Sequence, residues 1–171
     1  KQAGCWSIQA IHEVPVEELA SVIRSSGYFN AKARKLKAFA EHVVEGYAGD
    51  LTAFLCQELN PLREELLAIY GIGPETADDI LVYAAQKPSF VIDSYTRRIV
   101  QRVGLLTQDS GTSYQTYQDL FHKNLDKHVP LFNEYHALLD RHAKMTCVKD
   151  PRCSDCCLED ICETGISRSF L

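Results

Sequence analysis

The chain has 171 residues, enough for one domain of roughly 150 residues or for two small lobes. Its hydrophobic share of 46% and charged share of 24% are those of a chain that buries a core, which excludes disorder, collagen-like repeats and coiled coils. The formal charge of −5 excludes a uniformly basic, histone-like binder but not an enzyme that holds nucleic acid on a local basic patch.

Helical spacing dominates, and no stretch shows a convincing strand period. Residues 16–25 predict a short amphipathic helix. Asn30 is placed to cap the next, with Leu36, Phe39, Val43 and Tyr47 on one face and Gly46 and Gly49 at its end. Asp50 caps a helix over 50–58. Asn60-Pro61 begins another, which carries Leu62, Leu66 and Ile69 and stops at Gly71. Pro74 opens a helix to about Ala85, and Asp93 caps one to about Val103. Ser113 starts a helix striped with Tyr114, Tyr117 and Phe121, and Pro130 starts the last long one, to about Lys144. These stripes are core positions. His136 and His142, on the last helix, are expected to be structural. The reading is all-α, with a helical body over 1–144 and a separate C-terminal segment over 145–171.

Seven cysteines are unusual, and five of them lie between 147 and 162 (Cys147, Cys153, Cys156, Cys157 and Cys162). A disulfide framework would spread them through the fold; a tight cluster beside a cysteine-poor body points to a metal site. The run Cys147-x5-Cys153-x2-Cys156-x5-Cys162 offers four thiolates, with Cys157 as an extra. By ligand type, four thiolates suit a [4Fe–4S] cluster and tetrahedral zinc equally. Cys5 and Cys56 are expected to be packing residues.

Residues 66–77, Leu-Leu-Ala-Ile-Tyr-Gly-Ile-Gly-Pro-Glu-Thr-Ala, read as helix, Gly-x-Gly turn, helix. A helix start leaves N–H groups unsatisfied, which makes an anion site, and a phosphate suits a shallow surface turn. A plain glycine-capped turn explains the same pattern. Farther on the chain reads Phe90-Val91-Ile92-Asp93-Ser94-Tyr95-Thr96-Arg97-Arg98-Ile99. Taken in this order, the hairpin (about 62–86) and the Val-Ile-Asp before an arginine-bearing helix resemble the endonuclease III superfamily of helix-hairpin-helix DNA glycosylases. The cysteine run falls where that family has its iron–sulfur segment, and the likeness extends from about residue 16 to 162.

The resemblance implies a two-lobed all-α glycosylase fold. It implies that Gly71, Gly73 and the Thr76 backbone hold a DNA phosphate, with a monovalent cation on the hairpin carbonyls. Asp93 would be the catalytic carboxylate, a role compatible with capping. A [4Fe–4S] cluster on Cys147, Cys153, Cys156 and Cys162 would pin the C-terminal segment and present Lys149 and Arg152. Bifunctional members carry a lysine nucleophile where this chain has Glu75, and a carboxylate forms no Schiff base. The chain therefore resembles the monofunctional branch, and with Ser26-Gly27-Tyr28-Phe29-Asn30-Ala31-Lys32-Ala33 it resembles the 3-methyladenine DNA glycosylase III subgroup. The expected activity is release of a flipped, alkylated purine by base excision. A bifunctional lyase, a non-catalytic DNA-binding module and a small electron carrier are the competing readings.

Further expectations concern DNA contacts. Gly27-Tyr28-Phe29-Asn30 is a candidate wedge loop. Lys32, Arg34, Lys35 and Lys37 form one basic stretch and Arg97, Arg98 and Arg102 another. Trp6, Tyr28, Phe29 and Tyr95 are candidates to stack on a cationic base. The expected partner is double-stranded DNA with damaged bases, bound by a monomer in the cytoplasm, at the nucleoid. Members of the family normally have further residues before the position of Lys1, including helices that complete both lobes.

Overall fold

A computed structural model describes residues 7–106 and 111–169. Trp6, one of the candidate stacking residues, and Cys5 lie outside them. Among the described residues every regular element is helical. No helix among them is long and apolar enough to cross a membrane. The chain divides into two compact units, Lys1–Ala77 and Asp78–Leu171.

The first unit holds α1 (Ile8–Glu13), α2 (Val16–Val22), α3 (Phe29–Tyr47), α4 (Leu51–Leu55) and α5 (Leu59–Ala68), followed by the first residues of α6 (Pro74–Asp79). α3 is its spine, packed against α1, α2 and α4. Leu19, Ala20 and Ala33 are buried with Phe29, Ile11 and Val14 around them. Phe54 is fully buried beneath Phe39, His42 and Tyr47, all edge-on with ring centroids 5.1–5.8 Å away. Beside it Glu65 ties α3 to α5. Its carboxylate lies 2.6 Å from His42 Nε2 and accepts from Tyr47 OH at 2.8 Å and Gln57 Nε2 at 2.6 Å. Burial pulls the Glu65 pKa up, but those three partners outweigh it and hold the carboxylate below its usual range.

Two expected helix starts move. Tyr28, in left-handed backbone with φ of 50°, occupies the cap position of α3, and Asn30 sits exposed inside the first turn. Burial of Phe29 against the α2 core sets that start, overriding the local capping preference of Asn30. α5 begins at Leu59, so Pro61 falls inside the first turn, where its missing N–H costs nothing. Asp50 does cap α4, accepting from Ala53 N at 3.0 Å.

The second unit takes up the end of α6, which runs directly into a π-helical turn, Ile80–Ala84. It continues with α7 (Ser94–Val103), α8 (Tyr114–Asn124), α9 (Val129–Met145) and α10 (Glu163–Ser169). The run Phe90-Val91-Ile92 belongs to no regular element and is almost wholly buried. Phe90 stacks on Phe121 with centroids 3.9 Å apart and meets Phe132 edge-on. The tyrosine stripe of α8 is core as expected, with Tyr117 and Phe121 buried. A polar network is sealed in the same unit. Ser89 Oγ donates to Asp78 Oδ1 at 2.6 Å, and Gln118 Nε2 donates to Asp78 Oδ2 and to the Phe90 carbonyl, each at 2.9 Å.

Candidate active site

In the first unit the hairpin joins α5 to α6 through Ile69–Gly73. The glycines differ in kind. Gly71 has φ of 83°, and a Cβ there would run into the Lys35 side chain. Only a glycine meets both demands. Gly73 has neither constraint: no positive φ, and no atom within 4 Å of a Cβ built on it. The fold leaves the space over Gly73 empty, and Pro74, Glu75 and Thr76 beyond it are exposed. Tyr70, an aromatic that the sequence did not mark, stands 67% exposed beside the turn.

The basic stretch of α3 serves several ends. Lys35 lies along Gly71, bringing its stem to the hairpin. Lys37 Nζ is turned inward, donating to the carbonyls of His12 and Val14 at the end of α1. Lys32 Nζ donates to the Ser26 carbonyl at 2.6 Å and so closes the turn that presents Tyr28. Tyr28 itself is 90% exposed, the most open large apolar side chain among the described residues. Phe29, by contrast, faces the core.

In the second unit Asp93 leads α7. Its Oδ1 accepts from Thr96 N at 2.7 Å, the expected cap. Its Oδ2 faces His136 Nε2 on α9 at 3.8 Å, an ion-pair distance too long for a hydrogen bond. Burial pulls the Asp93 pKa up, but the His136 ring and the Thr96 amide and side chain pull harder, and it falls to about 2. Asp93 is therefore ionised across the physiological range. Its helix start points N–H groups toward the same carboxylate, which favours that charge.

Two arginines expected at phosphates are engaged inside this unit. Arg97 donates to the Thr112 carbonyl at 2.8 Å and lies over the rings of Tyr117 and Tyr114. Arg98 donates to the carbonyls of Cys147 and Ala143, each at 3.0 Å. Tyr95 is half-buried beneath the cations of Arg98 and Lys144, so its face is already in use.

Cys147, Cys153, Cys156 and Cys162 line one cavity of about 20 Å³ together with Ile99, Arg102 and Leu158. Cys157 is exposed and lines none of it. Short 3₁₀ turns at Cys153–Asp155 and Glu159–Ile161 and the docked α10 fold the segment back on itself. The described cysteines form no disulfide. Among the described residues no three His, Cys, Asp or Glu side chains converge closely enough for a single metal ion. Four thiolates lining one cavity are, by ligand type, a donor set that fits a [4Fe–4S] cluster, as it would a tetrahedral zinc. Burial pushes the Cys156 thiol up, with Cys157, Cys162 and Cys147 adding to the Leu158-opposed shift. A half-buried thiol of this kind ionises when metal cations are at hand.

Comparison with known proteins gives this arrangement a family setting. Residues 2–125 match the model of the HhH-GPD superfamily base excision DNA repair protein. The chain is 38% identical over 153 residues to a putative DNA repair glycosylase of Methanocaldococcus jannaschii, covering 89% of this chain and 69% of that one. It is 32% identical to an endonuclease III of Sulfolobus acidocaldarius, covering 90% of this chain and 65% of the relative. The chain thus spans about two thirds of the length of these relatives. In fold it resembles a non-covalent endonuclease III–DNA complex, with a TM-score of 0.80 at 24% identity over 97% of this chain and 72% of that one. It also resembles the Helicobacter pylori 3-methyladenine DNA glycosylase bound to 1,N6-ethenoadenine, with a TM-score of 0.69 at 24% identity, over 80% of this chain and 66% of that one.

Proposed function

The chain belongs to the HhH-GPD superfamily of base excision DNA repair proteins, a superfamily of DNA glycosylases, and from that premise we propose that it is a monofunctional N-glycosylase that hydrolyses the glycosidic bond of a flipped alkylated purine. The observation that carries this reading is the ionised, rigidly capped Asp93 of the second unit, and Glu75 in the first turn of the hairpin's second helix, in the first unit, supports it independently. The first supplies a fixed negative charge. The second stands where a lyase needs an amine.

A base in a duplex is out of reach until it is rotated from the stack, at a cost of a few kcal/mol. Tyr28, exposed at the start of α3, fills the gap, with Asn30 beside it and Lys32 bracing the turn. The phosphate backbone docks on the backbone around Gly71, Gly73 and Thr76, with a monovalent cation on the hairpin carbonyls and the Lys35 stem alongside. Any phosphate contact by Arg97 or Arg98 is secondary to their hydrogen bonds within the unit. As the glycosidic bond breaks, positive charge builds on the sugar. Asp93 stabilises it electrostatically and orients water. An alkylated purine is already cationic and leaves without a strong general acid. Glu75, at a helix start that favours anions, adds negative charge and gives no Schiff base.

Cys147, Cys153, Cys156 and Cys162 would hold a [4Fe–4S] cluster, which supplies the cationic centre that lets these thiols ionise and cross-links the segment. Arg98 and Arg102 hold that segment to α7 through its backbone carbonyls. The protein acts as a monomer on double-stranded DNA at the nucleoid.

The test is incubation with duplex DNA carrying methylated adenine, followed by strand analysis with and without hot alkali. Breaks that appear only after alkali support the reading. Breaks without alkali, with borohydride trapping of a protein–DNA adduct, support a bifunctional lyase instead. Tight, salt-sensitive binding with no breaks in either lane supports a binding module.

A further inference from the structure

His136 was expected to be structural, yet its ring stands between two groups that give it a direction. The Tyr83 hydroxyl, on the π-helical turn, lies 2.8 Å from Nδ1. Nε2 faces Asp93 Oδ2 at 3.8 Å and has no hydrogen-bond partner among the described residues. The two side chains are 15% and 17% exposed, so the contact is shielded but reachable. Since Oδ1 is held by Thr96 N, both carboxylate oxygens face a fixed group, and rotation of the carboxylate is opposed from both sides.

We propose that His136 is a positioning residue for Asp93: Tyr83 fixes the ring through Nδ1, and the ring presents Nε2 to the carboxylate, setting its charge and its orientation. The inference rests on the reading of Asp93 as the catalytic carboxylate. When the Tyr83 hydroxyl donates, Nδ1 accepts, and the ring proton resides on Nε2, toward Asp93. At 3.8 Å that N–H acts as charge or dipole rather than as a hydrogen-bond donor. It therefore stabilises the anion without occupying the lone pair that a sugar or a water would use.

Other groups face the ring as well. Asp79, Asp140 and Asp93 together raise the His136 pKa against the opposing effect of burial. Asp79 is pushed up by burial and held back by His136. Lys144 is paired with Asp140 at 2.8 Å, which leaves Asp93 as the acid directly opposite Nε2.

The experiment compares wild type, His136→Gln, His136→Phe, Tyr83→Phe and Asp93→Asn. It measures single-turnover excision from methylated-adenine duplex against pH, duplex affinity, and titration of the Asp93 carboxyl by carbon NMR. Both His136 variants are expected to slow excision on the order of ten- to a hundredfold with affinity unchanged. The acid limb of the rate profile and the Asp93 titration should both move up toward the usual carboxylate range. Tyr83→Phe should move them less, in the same direction. Should His136→Phe fold poorly, His136→Gln carries the comparison. An unchanged acid limb and carboxyl titration, with Asp93→Asn inactive, overturns the role of His136 and leaves the glycosylase reading intact. A wild-type protein that excises nothing, but whose Asp93 titration still moves on His136→Gln, overturns the glycosylase reading and supports the coupling.

Discussion

Arg102, in the last turn of α7, reaches the Cys147 carbonyl at 3.3 Å, and the same guanidinium donates to the carbonyls of Val148 at 2.6 Å and Lys149 at 2.8 Å. One end of α7 thus grips the cysteine segment while the other carries Asp93. Arg102→Ala removes several charge-assisted hydrogen bonds from backbone acceptors, a loss of about 2–3 kcal/mol in thermal or denaturant unfolding. Arg102→Lys, a point charge without the planar fork, should recover only part of it. Iron content per chain after purification is the second readout. Both variants are expected to retain less than wild type, and full retention with unchanged stability would sink the idea of a clamp.

Asp93 sets an acid limit on stability as well as on chemistry. Its folded pKa lies below its ordinary value of 3.8, at about 2. Its contribution is therefore complete above pH 4 and fades as pH falls through the interval from 4 to 2. The size is on the order of 2 kcal/mol. His136 has the opposite sign: its pKa is raised, so its contribution is complete below its ordinary value of 6.5 and is lost as pH rises through the folded value. The pair stabilises most between the two. Asp93→Asn should flatten the acid slope of stability against pH and lose its excision activity, while remaining folded at pH 7 through the asparagine's own capping. An acid slope identical to that of wild type would show that the pair contributes nothing to stability.

The cap on α7 was legible in the sequence because it is local: Asp93 and Thr96 are one turn apart, and the apolar run before them marks the entry. The stripe of α8 was legible for the same reason. The start of α3 was not, because Phe29 is decided by contacts with α2 rather than by its neighbours. The short helices α1 and α10 carry too few turns for a period to show. His136 was expected to be structural, and its surroundings were not legible, since Tyr83 is 53 residues away and a lone histidine on a helix carries no signal of what it faces. For Arg97 and Arg98 the sequence shows a basic pair at a helix start, but not the carbonyls that later segments bring to them.

The two hairpin glycines give opposite expectations on substitution. Gly71→Ala forces a side chain into left-handed backbone and against Lys35, and should cost at least about 1–2 kcal/mol of stability. Gly73→Ala meets no atom and no backbone constraint, so its melting temperature should stay within a degree or two of wild type, since about 0.5 kcal/mol or less is at stake. Duplex affinity should nonetheless fall, on the order of tenfold, because the added methyl occupies the space through which the phosphate approaches. If Gly73→Ala binds DNA as wild type does, the hairpin does not dock DNA at that glycine.

Tyr28 gives the sharpest separation of folding from function. It occupies left-handed backbone, which costs a non-glycine residue about 1 kcal/mol, and it is 90% exposed, so its ring adds little burial in return. Folding alone would favour glycine here. Tyr28→Gly is therefore expected to leave the melting temperature equal or slightly raised. If the ring fills the gap left by a flipped base, the same variant loses the energy that holds the base out, and single-turnover excision should drop by tenfold or more, about 1.4 kcal/mol or above. Tyr28→Phe keeps the wedge and should excise normally. A Tyr28→Gly protein that is both as stable and as fast as wild type would leave the strained aromatic without a task and remove the wedge from the mechanism.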